Sequence, residues 1–213
     1  LQPLLVDSLR SVRTAAAQVL VGLPIDKDNI ALFAKAYKEL AEANKTSAWR
    51  GEGRVNQANH AMQTNDLISA EIGFKASIDI DPYFPVGYVN LSDLYRAKQR
   101  EDLVKKVLTK GVEALPESAD IAYAYGLHMV RSGNIKDAIS QFKNAMDLNP
   151  ENAQLAYTYA LALDGNEQTR FAIDELKRVI PQYSDKQTLI ELGHYFSRKI
   201  NSKADFEWFS QVK

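Results

Sequence analysis

The sequence contains no cysteine among its 213 residues. A disulfide framework, a thiol nucleophile and a cysteine-ligated metal site are therefore excluded. No charge of one sign predominates, because 26 Lys and Arg residues face 27 Asp and Glu residues. This balance argues against a nucleic-acid partner, which would favour a one-signed basic surface. The longest near-apolar stretch, residues 15–23, is interrupted by Gln18. It falls short of the roughly 20 residues that a membrane-spanning helix needs, so we expect no membrane span.

The first residues carry no recognisable targeting signal. Leu1 is not a methionine, and residues 1–6 have neither a basic region nor a small-residue cleavage pattern. We therefore interpret the chain as part of a longer protein and expect upstream domains of the same chain. A sequence without thiols is compatible with the cytoplasm and with the periplasm alike.

The composition that remains, 46% hydrophobic and 25% charged, is that of a globular protein, and a repeat organises it. Pro82, Pro116 and Pro150 recur at a constant 34-residue interval, and each follows an apolar segment with helical character. A fixed period of this kind is typical of repeat architectures. Small and large residues recur at the same interval. The small column is Ala58, Ser92, Gly126 and Ala160, and the large column is Phe74, Leu108, Phe142 and Leu176.

Within one period the pattern predicts a helix, a turn and a second helix. Apolar residues between Ile135 and Met146 recur at intervals of three and four, which places them on one face of an α-helix. Gly133 and Asn134 supply the turn before this helix, and Pro150 ends it because proline lacks the N–H donor. No strand-like alternation competes, so the sequence predicts an all-α fold.

This helix pair resembles the tetratricopeptide repeat. The residues that carry the resemblance best lie in the third unit: Gly126, Gly133, Ala138, Phe142, Ala145 and Pro150. The family resemblance implies a right-handed α-solenoid of helix-turn-helix repeats across residues 47–186. The four expected units are 51–84, 85–118, 119–152 and 153–186. The first unit departs from the family pattern, with Arg54, Gln57 and Ala61 where large apolar residues are usual.

The segments on either side of residues 47–186 are also expected to be helical. Residues 187–213 predict one more helix pair, which is either a degenerate fifth repeat or a cap over the last apolar face. Residues 1–46 form a separate N-terminal segment. Its run from Ser11 to Leu20 resembles the second half of a HEAT-type helical repeat, and residues 30–43 predict an amphipathic helix.

No catalytic motif is recognisable. The three histidines, His60, His128 and His194, have no metal-ligand spacing and lie in no nucleophile or phosphate-loop signature. We interpret them as packing or surface residues, and expect no enzyme activity, no metal site and no cofactor in this part of the protein. The only glycine-rich patch, residues 51–54, is interpreted as a flexible start of a helix, with a contact site as the alternative.

The resemblance places function on the concave face, which the first helix of each repeat lines. Amides at Asn56 and Asn90 would hydrogen-bond an extended peptide backbone. Tyr123 and Tyr157, in a row with Val55 and Val89, would form an apolar-aromatic track, or would merely pack against neighbouring helices. The predicted groove residues are Asn56, Asn59, Gln63, Val89, Asn90, Asp93, Arg96, Tyr123, Leu127, Arg131, Tyr157, Thr158 and Leu161.

Two hypotheses for the partner follow from the resemblance. The first is a non-enzymatic scaffold that binds a protein or peptide ligand in the groove. A chaperone tail is not expected, because Val55, Asp120 and Ala124 stand where its clamp requires cations. The second rests on residues 49–59 and 81–96, which resemble the C-terminal region of bacterial periplasmic multihaem cytochromes c. The chain has no cysteine for covalent haem, so haem would have to lie upstream. The periplasm is favoured by this resemblance alone.

Overall fold

The computed structural model describes residues 1–212 of the chain, and within that range it is helical throughout, with no β-strand. The α-helices are α1 Arg10–Leu20, α2 Ile30–Thr46, α3 Gly51–Gln63, α4 Leu67–Ile80, α5 Pro85–Ala97, α6 Glu101–Ala114, α7 Ala119–Arg131, α8 Ile135–Leu148, α9 Ala153–Gly165, α10 Thr169–Val179, α11 Gln187–Lys199 and α12 Lys203–Gln211. Short 3-10 helices cover Gln2–Val6, Lys27–Asn29 and Ile180–Gln182. The predicted all-α class is confirmed.

Ten of these helices follow the period of the sequence residue by residue. The first helix of each pair begins at 51, 85, 119, 153 and 187, and the second at 67, 101, 135, 169 and 203. The pair α11 and α12 therefore begins in the same register as the four pairs before it. The helix α10 ends early, at Val179, because Pro181 forces the chain into a 3-10 turn there.

The turn inside each pair is closed in the same way every time. Residues 65, 99, 133, 167 and 201 all have positive φ, between 53° and 77°. In the third pair the N–H of Gly133 donates to the carbonyl of Val130 at 3.0 Å, and the N–H of Asn134 donates to that of Met129 at 2.9 Å. This is the Schellman motif, which satisfies the last carbonyls of the first helix. Only one of these five left-handed residues is a glycine.

The chain divides into two compact units, Leu1–Arg100 and Glu101–Lys213. In the first unit the N-terminal 3-10 helix packs against α1 and α2, and its Leu5 is buried together with Ala16 and Leu20. The helix α2 packs on α3, and α5 contacts both α3 and α4. Phe74 of α4 and Tyr88 of α5 are the largest side chains that this packing buries.

The glycine-rich patch is a tight contact in the structure, so its interpretation as a flexible helix start is wrong. Gly51 and Gly53 are both buried. A Cβ at Gly53 would lie 2.0 Å from the backbone oxygen of Ser47, and one at Gly51 would lie 2.7 Å from the Cβ of Asp81. Glycine is required here because backbone and neighbouring atoms approach too closely for any side chain.

In the second unit, helices α7 to α12 enclose one continuous core, and α6 packs against α7. Phe142 of α8 lies against Gly126 of α7, where a Cβ would come within 2.6 Å of the ring. The small column and the large column of the sequence therefore meet in the core, because the small residue leaves room for the large ring. At the far end, the buried carboxylate of Asp205 on α12 accepts hydrogen bonds from Arg170 and Lys177 of α10, each at 2.5 Å. This pair of bonds fastens α12 to the helix that precedes the last pair.

Candidate functional site

The predicted groove residues of the first unit include two asparagines that contact each other. Asn90 on α5 donates its Nδ2 hydrogen to the Oδ1 of Asn59 on α3, at 3.0 Å. Both side chains are half-buried, so each remains reachable from solvent. The bond fixes how the two amides lie relative to each other across neighbouring first helices. Asn56, one turn before Asn59 on α3, is half-buried as well.

The other residues of this face lie between polar surface and core. Asp93 and Arg96 form an exposed ion pair on α5 at 3.2 Å, Gln63 is exposed, and Val89 is half-buried. Val55 is only 3% exposed. It therefore belongs to the core of the first unit and not to the groove, because α3 packs against α2, α4 and α5 and this face of it is covered.

In the second unit the predicted aromatic track is partly embedded. The Tyr123 ring lies 5.8 Å from the ring of Phe142, and Tyr157 and Leu127 also pack against the core. Each of the three keeps part of its surface in solvent. The tyrosines therefore pack against the core and also keep part of their surface exposed, and their role as a binding track stays a prediction.

The remaining predicted residues of this unit lie on the same helices. Leu161 of α9 is 40% exposed, and Thr158 one turn earlier donates its hydroxyl to the carbonyl of Gln154 at 2.9 Å. Arg131, at the end of α7, lies 4.0 Å from Glu101. Neither Thr158 nor Arg131 is buried, so both can contact a ligand.

One exposed aromatic residue was missed. Tyr195 of α11 stands one period after Leu161, which itself stands one period after Leu127, and Tyr195 is 55% exposed. The three residues occupy the same position of successive first helices and form a row of apolar surface. The period itself was the signal. It was overlooked because the predicted site ended with the fourth unit.

The three histidines each have a separate environment. His128 is buried and its Nδ1 lies 3.0 Å from Glu101, while His60 stacks on Tyr37 with ring centroids 4.6 Å apart. His194 bonds to Ser210 at 3.1 Å. Among residues 1–212, no three metal-ligating side chains converge. The geometry gives these histidines packing and hydrogen-bonding roles.

No helix in the described part of the chain has both the length and the apolar composition to cross a bilayer. The first unit offers amides on its first helices, and the second offers an aromatic and aliphatic row; such groups can hold a ligand through hydrogen bonds and apolar contacts.

Helix pairs with this period and these turns are the arrangement found in tetratricopeptide-repeat proteins. The family model described as "Tetratricopeptide repeat" matches residues 129–190, from the end of α7 to the start of α11. No curated protein matches the chain significantly. The family match confirms the repeat prediction for this part of the second unit.

Solved structures extend the comparison to most of the chain. A thermophilic TPR protein from Thermus thermophilus is 15% identical, with a TM-score of 0.60 over 91% of this chain and all of its own. YrrB, described as a TPR protein with an unusual peptide-binding site, is 16% identical, with a TM-score of 0.57 over 79% of this chain and 87% of its own. MamA is 18% identical, with a TM-score of 0.58 over 78% and 88%. At these identities the likeness establishes the fold alone. None of these matches supports the resemblance to multihaem cytochromes.

Proposed function

We propose that this chain is a non-enzymatic protein-interaction scaffold that binds a peptide or protein segment on the faces of its first helices, without a cofactor of its own. The observation that carries the proposal is the bonded pair Asn59 and Asn90. Amides that served the fold alone would use their hydrogen-bonding capacity inside it, and these two make one bond with each other and remain partly in solvent.

The chemistry of the pair suits a backbone ligand. A primary amide offers two N–H donors and an oxygen with two lone pairs. After the single mutual bond, each asparagine still has both donor and acceptor capacity. An extended peptide presents alternating N–H and C=O groups, so a fixed amide pair can hold it without reading its side chains.

The first helices of the second unit carry an apolar surface of their own. Tyr123, Tyr157, Leu161 and Tyr195 expose rings and methyl groups beside polar tips. Tyrosines that are half fixed by packing lose little conformational entropy on binding, which makes them effective contact residues. A structure with this fold is described as having a peptide-binding site, which is consistent with the proposal for this chain.

A peptide library displayed on phage tests the proposal directly. We expect the chain to select peptides that bind the first unit and lose about tenfold in affinity in Asn90→Ala, or that bind the second unit and lose about tenfold in Tyr157→Ala, since central contact residues carry most of the binding energy. The matched control is Ile72→Ala, because Ile72 is exposed on the second helix α4. Selected peptides that bind both variants as tightly as they bind the control would contradict a first-helix site. Circular dichroism of each variant establishes that helicity is unchanged.

A further inference from the structure

Two of the most exposed large side chains of the protein occupy equivalent places in the first unit. Trp49 is 76% exposed and Tyr83 is 75% exposed, and they stand one repeat period apart. Each immediately precedes the residue that caps the next first helix, α3 or α5. Tryptophan is usually largely covered in a folded protein, so this degree of exposure calls for an explanation.

The turns that carry the two rings have the same geometry and are adjacent. The N–H of Arg50 donates to the carbonyl of Ser47 at 3.0 Å, and the N–H of Phe84 donates to that of Asp81 at 3.2 Å. The close approach of Gly51 to the Cβ of Asp81 places the start of the second turn beside the end of the first. The rings therefore project from neighbouring turns of one edge.

Folding does not require aromatic residues at these positions. The second unit closes its corresponding turns with the same bond, from Ser118 to Leu115 at 3.1 Å and from Asn152 to Asn149 at 3.2 Å. Glu117 and Glu151 stand at the equivalent positions there, and both are exposed. A turn that accepts glutamate needs no ring, so Trp49 and Tyr83 serve something other than the turn.

A cleft of about 580 Å³ adjoins Trp49 in the same unit, and its lining includes Arg10, Thr14, Thr46 and Arg50. The Arg50 guanidinium lies 5.6 Å from the Trp49 ring centre. The half-exposed Arg10 donates to the carbonyl of Glu39 at 2.9 Å and reaches the Glu42 carboxylate only at 3.5 Å. The cleft thus offers two cations, four hydroxyl side chains and an indole.

We infer that this edge, formed by Trp49, Tyr83, Arg10 and Arg50 and here named the turn-edge surface, binds a proline-rich peptide segment that carries an acidic residue. A polyproline II helix has three residues per turn and repeats every ~9 Å. Neighbouring packed helices lie about 8–10 Å apart, so turns at the starts of adjacent helices are spaced about as far apart as successive turns of a polyproline II helix. Proline-rich segments dock on aromatic-lined surfaces because their extended form is already ordered. The two arginines select an acidic flank.

Single-stranded nucleic acid is the main competitor for an aromatic and cationic surface. A phosphate chain requires a run of cations along the whole track. Here Glu42 lies beside Arg10, and the Asp81 carboxylate stands in the turn of Tyr83, where it accepts the Tyr83 N–H at 3.2 Å. These carboxylates interrupt the run of cations that a phosphate chain requires at every nucleotide, whereas a mostly uncharged peptide with a single acidic flank needs cations only beside that flank.

Fluorescence anisotropy on the full chain tests the assignment. The probe is a fluorescein-labelled peptide, Ala-Pro-Pro-Leu-Pro-Pro-Leu-Pro-Pro-Glu-Glu. We expect saturable binding that weakens about tenfold in Trp49→Ala and in Tyr83→Ala and is largely retained in Trp49→Phe. The matched control is Ile68→Ala, which removes a similarly exposed apolar side chain of the same unit. Both altered aromatics are exposed, so the variants should keep the helicity of the parent chain.

Four results would overturn the inference: no saturable binding up to about 1 mM peptide, equal binding of a peptide with alanine at every proline, insensitivity to Trp49→Ala, or tighter binding of an oligothymidylate probe at the same surface. A peptide with lysine in place of both glutamates should bind several-fold more weakly, because it loses the partners of Arg10 and Arg50. Equal affinity for the lysine peptide would overturn the acidic part of the assignment.

Discussion

At the scale of single residues, the five turn positions with positive φ differ in the conformational strain that their residue types incur there. Asn65, Gln99, Glu167 and Asn201 hold a conformation that Gly133 adopts without cost. A non-glycine residue in this region loses about 1–2 kcal/mol, and less for asparagine, whose side chain bonds locally. Gln99 and Glu167 therefore carry the largest strain.

Glu167→Gly should raise the free energy of unfolding by about 0.5–1 kcal/mol, because the relief of strain exceeds the entropy that glycine loses. Urea denaturation followed by circular dichroism measures the change. Gly133→Ala is the reverse experiment and should lower stability by about 1 kcal/mol. No atom lies within 4 Å of a Cβ built at Gly133, so this cost reports the backbone alone. A loss of stability in Glu167→Gly would show that the backbone of Glu167 is not strained.

Residue positions also mark where sequence reasoning fell short. The period and the Gly133-Asn134 turn sufficed for the fold, but the turns at Gln99 and Glu167 could not be read, because neither residue favours positive φ. The role of Asn59 and Asn90 as site residues remains a prediction. The bond between them depends on side chains from two helices, which no local pattern reports. Val55 was placed in the groove because the repeat register alone does not show how much of α3 the neighbouring helices cover.

At the scale of elements, the start of α3 depends on two glycines. The helix begins where the chain turns back from α2, and Gly53 lies against the backbone oxygen of Ser47. Backbone atoms cannot move aside as a side chain can. The sequence could show that glycine was present here, but flexibility and close approach require the same residue, and only the packing distinguishes them.

Gly53→Ala should therefore destabilise the chain by about 1–3 kcal/mol, the usual cost of overpacking. The measurement is the midpoint of urea unfolding, with the loss of amide-exchange protection in α3 as a second readout. Gly165→Ala is the matched control, because it also lies in a first helix but has no atom within 4 Å of a built Cβ. That variant should be neutral or gain up to about 1 kcal/mol from helix propensity. Equal changes in stability in Gly53→Ala and Gly165→Ala would instead support the interpretation of residues 51–54 as a flexible start of α3.

At the scale of the molecule, each unit has a carboxylate that joins neighbouring helices and whose pKa is strongly lowered by its partners. Burial would raise the pKa of Asp205, but hydrogen bonds from Lys177, Ser202 and Arg170 outweigh it and lower the pKa to about 2. Hydrogen bonds from Lys75 and Lys98 lower the pKa of Glu71 to about 2 against a smaller effect of burial, with Tyr95 contributing. Asp205 ties α10 to α12, and Glu71 ties α4 to the end of α5.

Both values lie below the ordinary values of 3.8 and 4.5. The stabilisation is therefore complete above about pH 5 and is lost as the pH falls toward 2. We expect each carboxylate to contribute about 1–2 kcal/mol at pH 7, allowing for solvent screening. Urea titrations at several pH values measure the slope of the free energy of unfolding against pH between about pH 2 and 5. This slope should be shallower in Asp205→Asn and in Glu71→Gln. The control Asp147→Asn breaks only an exposed pair with Lys143 and should leave the slope unchanged.

The recurrence of one turn conformation at residues 133 and 167 has a consequence for how such a chain can be edited. If the 34 residues from Gly133 to Asn166 were removed, Glu167 would take the place of Gly133 in the turn. Both residues have the same left-handed conformation, so the new junction would need no new backbone conformation. Duplicating the segment does the same. A gene for this protein could thus lengthen or shorten by whole hairpins through unequal recombination, with selection acting only on the side chains that meet across the new junction.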